Sequence, residues 1–307
     1  MRIVKNPPEP FHEGELAVQR RAGVAAMAAK VGAGIHDVLP PPAAAFLAAR
    51  RFAVVGATDE GGRVWASPVV GEEGFLHVPE ERTLEVRAAP PATDPLYAAL
   101  RGEARVGLIA IDFAARRRVR VNGTAVPLAG DGFAIHVEQA YANCPKYIRR
   151  REPADGDRPR PVAREASRAS ELSSSQMRWI ASADTFFIAT AHRERGADAS
   201  HRGGDPGFVR ALDATRLAWP DYVGNAMFQT LGNLATNPAC GLVFLDFRTG
   251  GALQLSGTAR VAWDDPAARE IAGAERLVEF AVEQVIETEG AVHGGWQEGE
   301  PSPHNPR

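Results

Sequence analysis

The sequence of 307 residues has few cysteines, few lysines and no long apolar run. Two cysteines, Cys144 and Cys240, are too few for a disulfide framework, and their spacing fits no zinc pattern, so we expect no structural metal site. No apolar stretch approaches the roughly 18 residues of a membrane-spanning helix. Residues 1–12 carry charges and prolines in place of the apolar core of a signal peptide, so the sequence predicts a cytoplasmic protein.

A strong net charge is also absent. The formal net charge of −3 gives no bulk electrostatic field that would attract nucleic acid or an anionic membrane. Nearly all basic residues are arginine, which we attribute to compositional bias because alanine is also abundant. With 45% hydrophobic and 24% charged residues, the composition is typical of a globular protein with a core, and the length allows two domains.

The chain repeats itself, at a spacing of 134 residues. Three segments of the first half reappear in the second: Gly107–Phe113 as Gly241–Phe247, Val121–Ala125 as Leu255–Ala259, and Arg51–Val55 as Thr185–Ala189. Ala66 and Ser67 match Ala199 and Ser200 at a spacing of 133. Because the series holds its spacing over more than seventy residues, we expect two copies of one fold. They should superpose with Phe52 on Phe186, Asp112 on Asp246 and Gly123 on Gly257.

Each copy is predicted to be mainly β with short helices. Short β-branched and apolar runs predict the strands Phe52–Ala57, Val106–Phe113, Val119–Val126, Phe186–Ala191, Cys240–Phe247 and Ala252–Val261. Gly123 and Gly257 interrupt two of these strands, which favours a bulge or a close approach there. Helices are predicted at Pro41–Arg50, Ser173–Ala183 and Phe228–Thr236, the last ended by Asn237 and Pro238.

The repeat divides the chain into four parts. Residues 1–40 form an N-terminal arm, predicted to be helical from Glu15 to Lys30, and residues 41–148 form the first copy. Residues 149–168 contain seven arginines and three prolines, and we interpret them as a solvated linker, although a basic run could also suggest nucleic acid. Four acidic residues and the lack of interleaved aromatics favour the linker. Residues 169–307 form the second copy.

Polar residues of the second copy that the first copy lacks are the main candidates for a site. Asn225, Gln229, Thr230 and Asn233 surround the start of the predicted helix from Phe228, where free amides and the helix dipole can bind a phosphate. Their counterparts in the first copy are Pro91, Pro95, Leu96 and Ala99, whose side chains donate no hydrogen bond. The alternative is that the polar residues only cap the helix and its turn.

Two further clusters carry reactive or ligand-binding side chains. In Ser200–Gly203, Arg202 can clamp a phosphate or bond a planar ligand, whereas His201 is either an exposed turn residue or a catalyst. Cys144 and Lys146 lie together near the end of the first copy. The thiol of Cys144 is either structural or a nucleophile that would need a neighbour to lower its pKa. Cys240 lies in an apolar strand and is predicted to be core.

These residues resemble the pyridoxamine 5′-phosphate oxidase-like superfamily of FMN-binding split barrels. The resemblance is clearest from Ala183 to Ala259, where a strand, a glycine-rich turn and a helix ending in Asn237 and Pro238 precede the strand with Leu255–Gly257. Cys144–Ile148 looks like a motif near the end of such barrels, and Phe11–Arg20 resembles the start of long two-barrel members. The resemblance implies two tandem six-stranded FMN-binding split β-barrels, with FMN lying at an interface between two barrels.

The cofactor site of the family can be carried over residue by residue. Its first-strand contacts fall on Ser200, His201, Arg202 and Gly203, and its next strand end falls on Val223–Asn225. The Arg-Lys pair that clamps the phosphate in the true oxidases falls on Gln229 and Thr230, which is a departure. The late glutamine falls on Ala252, with Gln254 two residues on as a substitute. The remaining cofactor candidates are Asn233, Lys146 and, for a tryptophan near the family's C-terminus, Trp296.

The sequence therefore predicts a cytoplasmic FMN-binding oxidoreductase that acts on an unassigned small molecule. We expect about one flavin per chain, a homodimer, and no nucleic-acid or membrane partner. One alternative is a protein that holds flavin or haem without turnover, in which case His201, His192 or His136 would be the axial ligand of the haem iron. Another is a barrel pair that binds no cofactor.

Overall fold

The computed structural model describes residues 9–153 and 162–306 of the protein. The helices are α1 (Glu13–Arg21), α2 (Ala25–Gly32), α3 (Pro41–Ala48), α4 (Ser174–Ser182) and α5 (Gln229–Thr236). The strands of the first half are β1 (Phe52–Thr58), β2 (Val64–Val70), β3 (Leu76–Glu80), β4 (Thr83–Val86), β5 (Ala104–Asp112), β6 (Arg117–Pro127), β7 (Phe133–Asn143) and β8 (Arg151–Glu152). Those of the second half are β9 (Arg164–Ala169), β10 (Thr185–His192), β11 (Gly196–Gly203), β12 (Arg210–Asp213), β13 (Arg216–Tyr222), β14 (Ala239–Asp246), β15 (Gly251–Ala262), β16 (Ala274–Glu289) and β17 (Gln297–Glu298).

Two sheets with the same strand order confirm the tandem split-barrel fold. The first sheet runs β2-β1-β5-β6-β7-β4-β3, and the second runs β11-β10-β14-β15-β16-β13-β12, so that β1–β7 correspond in order to β10–β16. Each path has seven strands where the resemblance implied six, because a short strand, β3 or β12, adds an edge hairpin. Both predicted bulges are present, at Gly123 against β7 and at Gly257 against β16.

The spacing of 134 holds for only part of the repeat. Gly107 on β5 and Gly241 on β14 are 134 residues apart, but their partners Gly56 on β1 and Ala189 on β10 are 133 apart. Phe52 therefore corresponds to Thr185, and the prediction that it superposes on Phe186 is wrong by one residue. A slip of one residue exchanges the two faces of a strand. Phe186 accordingly packs inside the second barrel, whereas Phe52 faces the interface between the barrels.

The barrels pack against each other through the outer faces of strands that are buried on both sides. One hydrophobic core fills each barrel, and a third lies between them. The close approach requires glycine at Gly107 and Gly241. A Cβ atom on Gly107 would lie 2.5 Å from Cα of Asp198, and one on Gly241 would lie 2.5 Å from Cα of Trp65. The repeat thus places equivalent glycines at equivalent positions of the barrel interface.

The N-terminal arm is helical as predicted and contacts both barrels, with His36 paired to Ala140 on β7 of the first barrel and α1 packed against the second. It forms α1 and α2 in place of one helix, and α1 packs on α5, where a Cβ atom on Gly14 would lie 2.3 Å from the carbonyl oxygen of Gly232. Gln19 donates to the carbonyl of Met227, just before α5, at 2.9 Å. The arm therefore supports α5 and the loop that leads into it. No helix within the described ranges is long and apolar enough to cross a membrane.

The predicted linker contains structure at both ends. Strand β8 pairs with β17, and β9 pairs with β16 at the edge of the second sheet. Arg151 is only 3% exposed and forms an ion pair with Asp184 at the start of β10. Arg149 pairs with the same carboxylate at 3.3 Å. The interpretation of 149–168 as a solvated linker is thus wrong for these arginines, while residues 154–161 lie outside the described residues.

Candidate functional site

A polar cleft with a volume of about 120 Å³ lies between the two barrels. The second barrel contributes the end of β11, the end of β13 and the loop that leads into α5. The first barrel contributes β5, β6 and the segment after β7. The main polar lining residues are Arg118, Arg120, Asn143, Cys144, Tyr147, Ser200, His201, Arg202, Asp221, Asn225, Gln229 and Thr230.

The start of α5 forms one wall of the cleft. Phe228 caps the helix in the left-handed conformation, with φ of 59°, and makes no side-chain capping bond. Ala226 is also left-handed, with φ of 64°, and such backbone strain is common at ligand sites. Asn225 accepts the amide of Met227 at 3.1 Å, so it closes a turn before the helix. The first amides of α5 therefore have no cap from a side chain and lie beside the cleft.

Two arginines of the first barrel form the opposite wall. Strand β6 alternates between Val119 and Val121, which pack inside the first barrel, and Arg118 and Arg120, which face the second. Arg120 forms a buried ion pair with Asp198. It also donates to Oε1 of Gln229 at 3.1 Å, which ties β6 to the first turn of α5.

His201 is held as a neutral hydrogen-bond donor. Arg118 donates from Nη1 to Nδ1 of His201 at 2.9 Å, and because a guanidinium has no acceptor, the proton of the neutral imidazole must be on Nε2. Burial holds the pKa of His201 well below its usual value, and Arg118, Arg202 and Arg151 lower it further. The imidazole therefore presents an N–H group from Nε2 without a positive charge.

The cationic character of the cleft comes from Arg118, Arg120 and Arg202, which Asp198 and Asp221 compensate in part. Burial lowers the pKa of Arg118 to about 10, and Arg120 and Arg202 act in the same direction. Burial also lowers the pKa of Arg202, against the opposing effect of Asp221. Mutual repulsion between these guanidinium groups favours an anion between them.

Several buried groups at the cleft have no hydrogen-bond partner within the described residues. Nε2 of His201, Nε2 of Gln229 and both side-chain polar atoms of Asn143 are among them. Unpaired buried donors cost about 1–3 kcal/mol each, so a ligand with several acceptor atoms would stabilise this arrangement.

Aromatic side chains border the outer side of the cleft. The rings of Tyr147 and Tyr222 lie 5.2 Å apart, and the hydroxyl of Tyr147 donates to the carbonyl of Val223 at 3.0 Å. Burial raises the pKa of Tyr147 to about 12, so its hydroxyl stays protonated at neutral pH. Asp221, beside this pair, has its pKa raised by burial, against the attraction of Arg202 and of Arg276 at 3.3 Å.

The cleft brings together seven of the predicted cofactor residues: Ser200, His201, Arg202, Gly203, Asn225, Gln229 and Thr230. Asn233, on α5, does not line the cleft: its Oδ1 accepts from Nε2 of His12 at 2.9 Å, and its Nδ2 donates to Oγ1 of Thr190 at 2.9 Å. Lys146 does not line the cleft, and Trp296 lines a different cavity. Cys144 lines the cleft, whereas Cys240 is fully buried in the second core, as predicted.

Gln254 lies at the counterpart of the cleft that the repeat generates on the other side of the interface. Its Nε2 donates to Oγ of Ser67 at 3.0 Å and to Oδ2 of Asp94 at 3.1 Å, and Ser67 donates to Asp94 at 2.6 Å. This network is fully enclosed, and burial raises the pKa of Asp94 to about 6. The second position is therefore closed by side chains.

Sequence reasoning missed Arg118 and Arg120. A ligand between two barrels contacts the α5 side of one barrel and the β6-type strand of the other. The spacing of 134 maps Ala252 onto Arg118 and Gln254 onto Arg120, so the repeat itself contained the signal. The prediction from sequence instead chose Gln254, which lies on β15 of the second barrel and faces the closed position.

Residues 174–292 match the family model described as Pyridoxamine 5′-phosphate oxidase. The second barrel is therefore a pyridoxamine 5′-phosphate oxidase-like split barrel, and the shared strand order makes the first barrel a second copy of the same fold. Among curated proteins, no sequence matches this chain.

Solved structures similar to this chain include three of bacterial origin. HupZ of Group A Streptococcus has 15% identity and a TM-score of 0.33, and the match covers 40% of this chain and 100% of that one. A FAD-binding protein from Mesorhizobium loti has 12% identity and a TM-score of 0.29, with 42% and 98% covered. A protein of the pyridoxinephosphate oxidase family from Clostridium acetobutylicum, related to general stress protein 26, has 12% identity and a TM-score of 0.28, with 40% and 89% covered.

Proposed function

We propose that this chain binds FMN in the cleft between its barrels and uses it as an oxidoreductase on a small molecule. The observation that carries the proposal is that Arg118, Arg120 and Arg202 line one cleft together with the uncapped start of α5. Helix N-termini and arginines are the two protein features that bind phosphate best. The family match of the second barrel supports a flavin as the phosphate-bearing ligand, and the relative from Mesorhizobium loti is described as FAD-binding.

The residues present fit FMN by their chemistry. The arginines and the first turn of α5 would hold the phosphate. They would take the place of the Arg-Lys pair of the true oxidases, because Gln229 and Thr230, which occupy the positions of that pair, carry no charge. The unpaired Nε2 groups of His201 and Gln229 would donate to carbonyl oxygens of the flavin ring. Ligand pockets commonly enclose about 300–1,000 Å³, so we expect the arginine side chains to move apart as the cofactor enters. When bound, FMN supplies the hydride or electron transfer.

Haem binding is the competing function, and the histidines argue against it. An axial ligand needs a free nitrogen lone pair, but Nδ1 of His201 already accepts from Arg118. His192 lies outside the cleft, with Nε2 bonded to Glu13 at 3.0 Å and Nδ1 accepting backbone amides. His136 is exposed on β7. His12, Glu13 and His192 are close enough together to hold a metal ion, but the ring nitrogens of both histidines already take part in hydrogen bonds.

The visible spectrum of the purified protein distinguishes the candidates. We expect flavin absorption bands, release of FMN rather than FAD on denaturation, and reduction of the bound flavin by NADH or NADPH without oxygen. A Soret band, or a colourless protein that does not take up added FMN, would contradict the proposal. Flavin that binds but is never reduced by a nicotinamide or chemical donor would favour a non-catalytic flavin-binding protein.

A homodimer remains a prediction of the sequence. Residues of both barrels of one chain line the cleft, so the proposed site does not need a second copy. Gel filtration with light scattering would measure the oligomeric state. We also propose that the protein is cytoplasmic.

A further inference from the structure

A second cavity, of about 310 Å³, lies between the barrels and shares no lining residue with the arginine cleft. It is bordered by the start of β1, the ends of β2 and β5, the segment after β14, and residues 292–296. The cavity is larger than the proposed flavin cleft, and Trp296 lines it.

Aromatic rings form the wall of this cavity. Phe113 and Phe247, equivalent residues of the two barrels, meet edge to face with centroids 5.1 Å apart. The ring of Trp296 lies 5.7 Å from Phe113 and 5.8 Å from Phe247, and Phe52 completes the aromatic lining. Such a wall favours a planar ring that can stack or pack edge to face.

The charges at this cavity are compensated within the protein. Arg50 pairs with Asp112 at 2.6 Å, Arg51 pairs with Glu73 at 3.5 Å, and Arg151 pairs with Asp184. An ionised ligand would thus find no uncompensated charge, and it would lose its hydration on burial. This arrangement favours an uncharged ligand.

One buried donor at the cavity has no partner within the described residues. The side chain of Arg151 is 3% exposed, and its guanidinium lies 4.4 Å from the centre of the Phe247 ring. Its Nη groups are engaged by Asp184 and Thr185, whereas Nε is unpaired. A single spare N–H group next to an aromatic wall matches a ligand with one carbonyl oxygen.

We propose that this cavity binds an uncharged, planar aromatic molecule of two fused rings that carries a carbonyl group. An apolar cavity of about 150 Å³ holds one benzene ring, so a cavity of twice that volume accommodates two fused rings. The proposal does not depend on flavin binding, because the two sites have no residue in common.

Calorimetric titration of the full chain with coumarin tests the proposal. Coumarin is an uncharged two-ring lactone, and we expect a dissociation constant below about 1 mM. Saturating FMN should not change this dissociation constant. If coumarin bound in the flavin cleft instead, FMN would displace it. The anion 2-naphthoate should bind at least about tenfold more weakly. Absence of coumarin binding, displacement by FMN, or tighter binding of 2-naphthoate would each overturn the proposal.

Two variants test the assigned contacts. Trp296→Leu should weaken coumarin binding about fivefold or more, whereas Trp179→Leu, on α4 and also half-buried, should leave it unchanged. Arg151→Lys keeps a cation opposite Asp184 but removes the Nε–H group, and it should weaken binding about three- to tenfold. Equal losses in both tryptophan variants, or no loss in Arg151→Lys with the fold intact by circular dichroism, would contradict this mode of binding.

Discussion

Arg118, on β6 of the first barrel, donates a hydrogen bond from Nη1 to Nδ1 of His201, on β11 of the second barrel, over 2.9 Å. One contact thus joins the two copies of the repeat, sets the tautomer of the histidine and places a cation beside the start of α5. The cleft is therefore asymmetric, because neither residue has an equivalent at the closed position, where Ala252 and Pro68 occur.

Arg118→Ala should weaken FMN binding about ten- to a hundredfold. A charge-assisted hydrogen bond contributes roughly 1.5–3 kcal/mol, and the variant also frees Nδ1 of His201. Quenching of FMN fluorescence on titration measures the affinity. Arg260→Ala is the matched control, because Arg260 is 73% exposed and pairs only at the surface with Glu279. Equal losses in both variants would indicate a general effect of charge rather than a site.

Arg202→Ala should cause a loss of similar size. Arg260→Ala, at the surface, is again the matched control. Retention of full FMN affinity in Arg202→Ala would assign the phosphate to Arg118 and Arg120 alone.

Thr230 and Asn233 should respond differently to substitution. Thr230 lines the cleft and donates to Oγ of Ser200 at 3.0 Å, so Thr230→Val should lower FMN affinity by about three- to tenfold with little loss of stability. Asn233→Leu leaves His12 and Thr190 without their buried partner, and it should lower the free energy of unfolding by about 1–3 kcal/mol. Urea unfolding and FMN titration of each single variant separate the two effects. Stable Asn233→Leu protein with lost flavin binding would contradict this assignment.

Stability should fall as pH rises from about 4.5 to about 8, because of Glu15. Burial is the largest cause that raises the pKa of this carboxyl to about 8, from 4.5 in the unfolded chain, and Asp198 adds to the effect. In this window the folded protein keeps a proton that the unfolded chain has released, so raising the pH favours unfolding. Glu15→Gln should remove the slope and stabilise the protein at pH 8, on the order of a few kcal/mol.

Urea unfolding between pH 5 and pH 8.5 measures this slope. Glu283→Gln, at an exposed position of β16, is the control and should leave the slope unchanged. Glu15 packs against Gly232 on α5, and the start of α5 forms a wall of the cleft. The wild-type protein should therefore also lose FMN affinity as the pH approaches 8. A wild-type slope that persists in Glu15→Gln would assign the titration to another group.

The purified protein should contain about one FMN per chain. The arginine cleft has its lining intact, whereas Gln254, Ser67 and Asp94 fill the equivalent position. Flavin absorbance relative to protein concentration, measured after release of the cofactor, gives the ratio. Two equivalent flavins per chain would show that the Gln254 network opens to admit a ligand.

Much of the fold can be predicted from signals between residues that are close together in the sequence. Apolar runs, capping residues and Pro238 located six strands (β1, β5, β6, β10, β14 and β15) and the helices α3, α4 and α5 to within a few residues, because these signals act between near neighbours. The repeat predicted a second copy of the same strand order, and Gly123 and Gly257 marked the two bulges. Seven residues of the candidate site were also predicted, since they lie on two neighbouring segments of one barrel.

Only the tertiary structure decided which strand of which barrel faces the cleft. Sequence similarity aligned β1 with β10 one residue out of register, because short apolar strands match at a spacing of 133 or of 134. Only the pairing of β1 with β5 and of β10 with β14 shows which residues lie on equivalent faces. Likewise, only the structure shows that Gln254 lies at the closed position and Trp296 at the second cavity, so that neither lines the arginine cleft. The sequence determines that there are two barrels, but the packing between them determines that Arg118 and Arg120 of one meet His201 and Gln229 of the other.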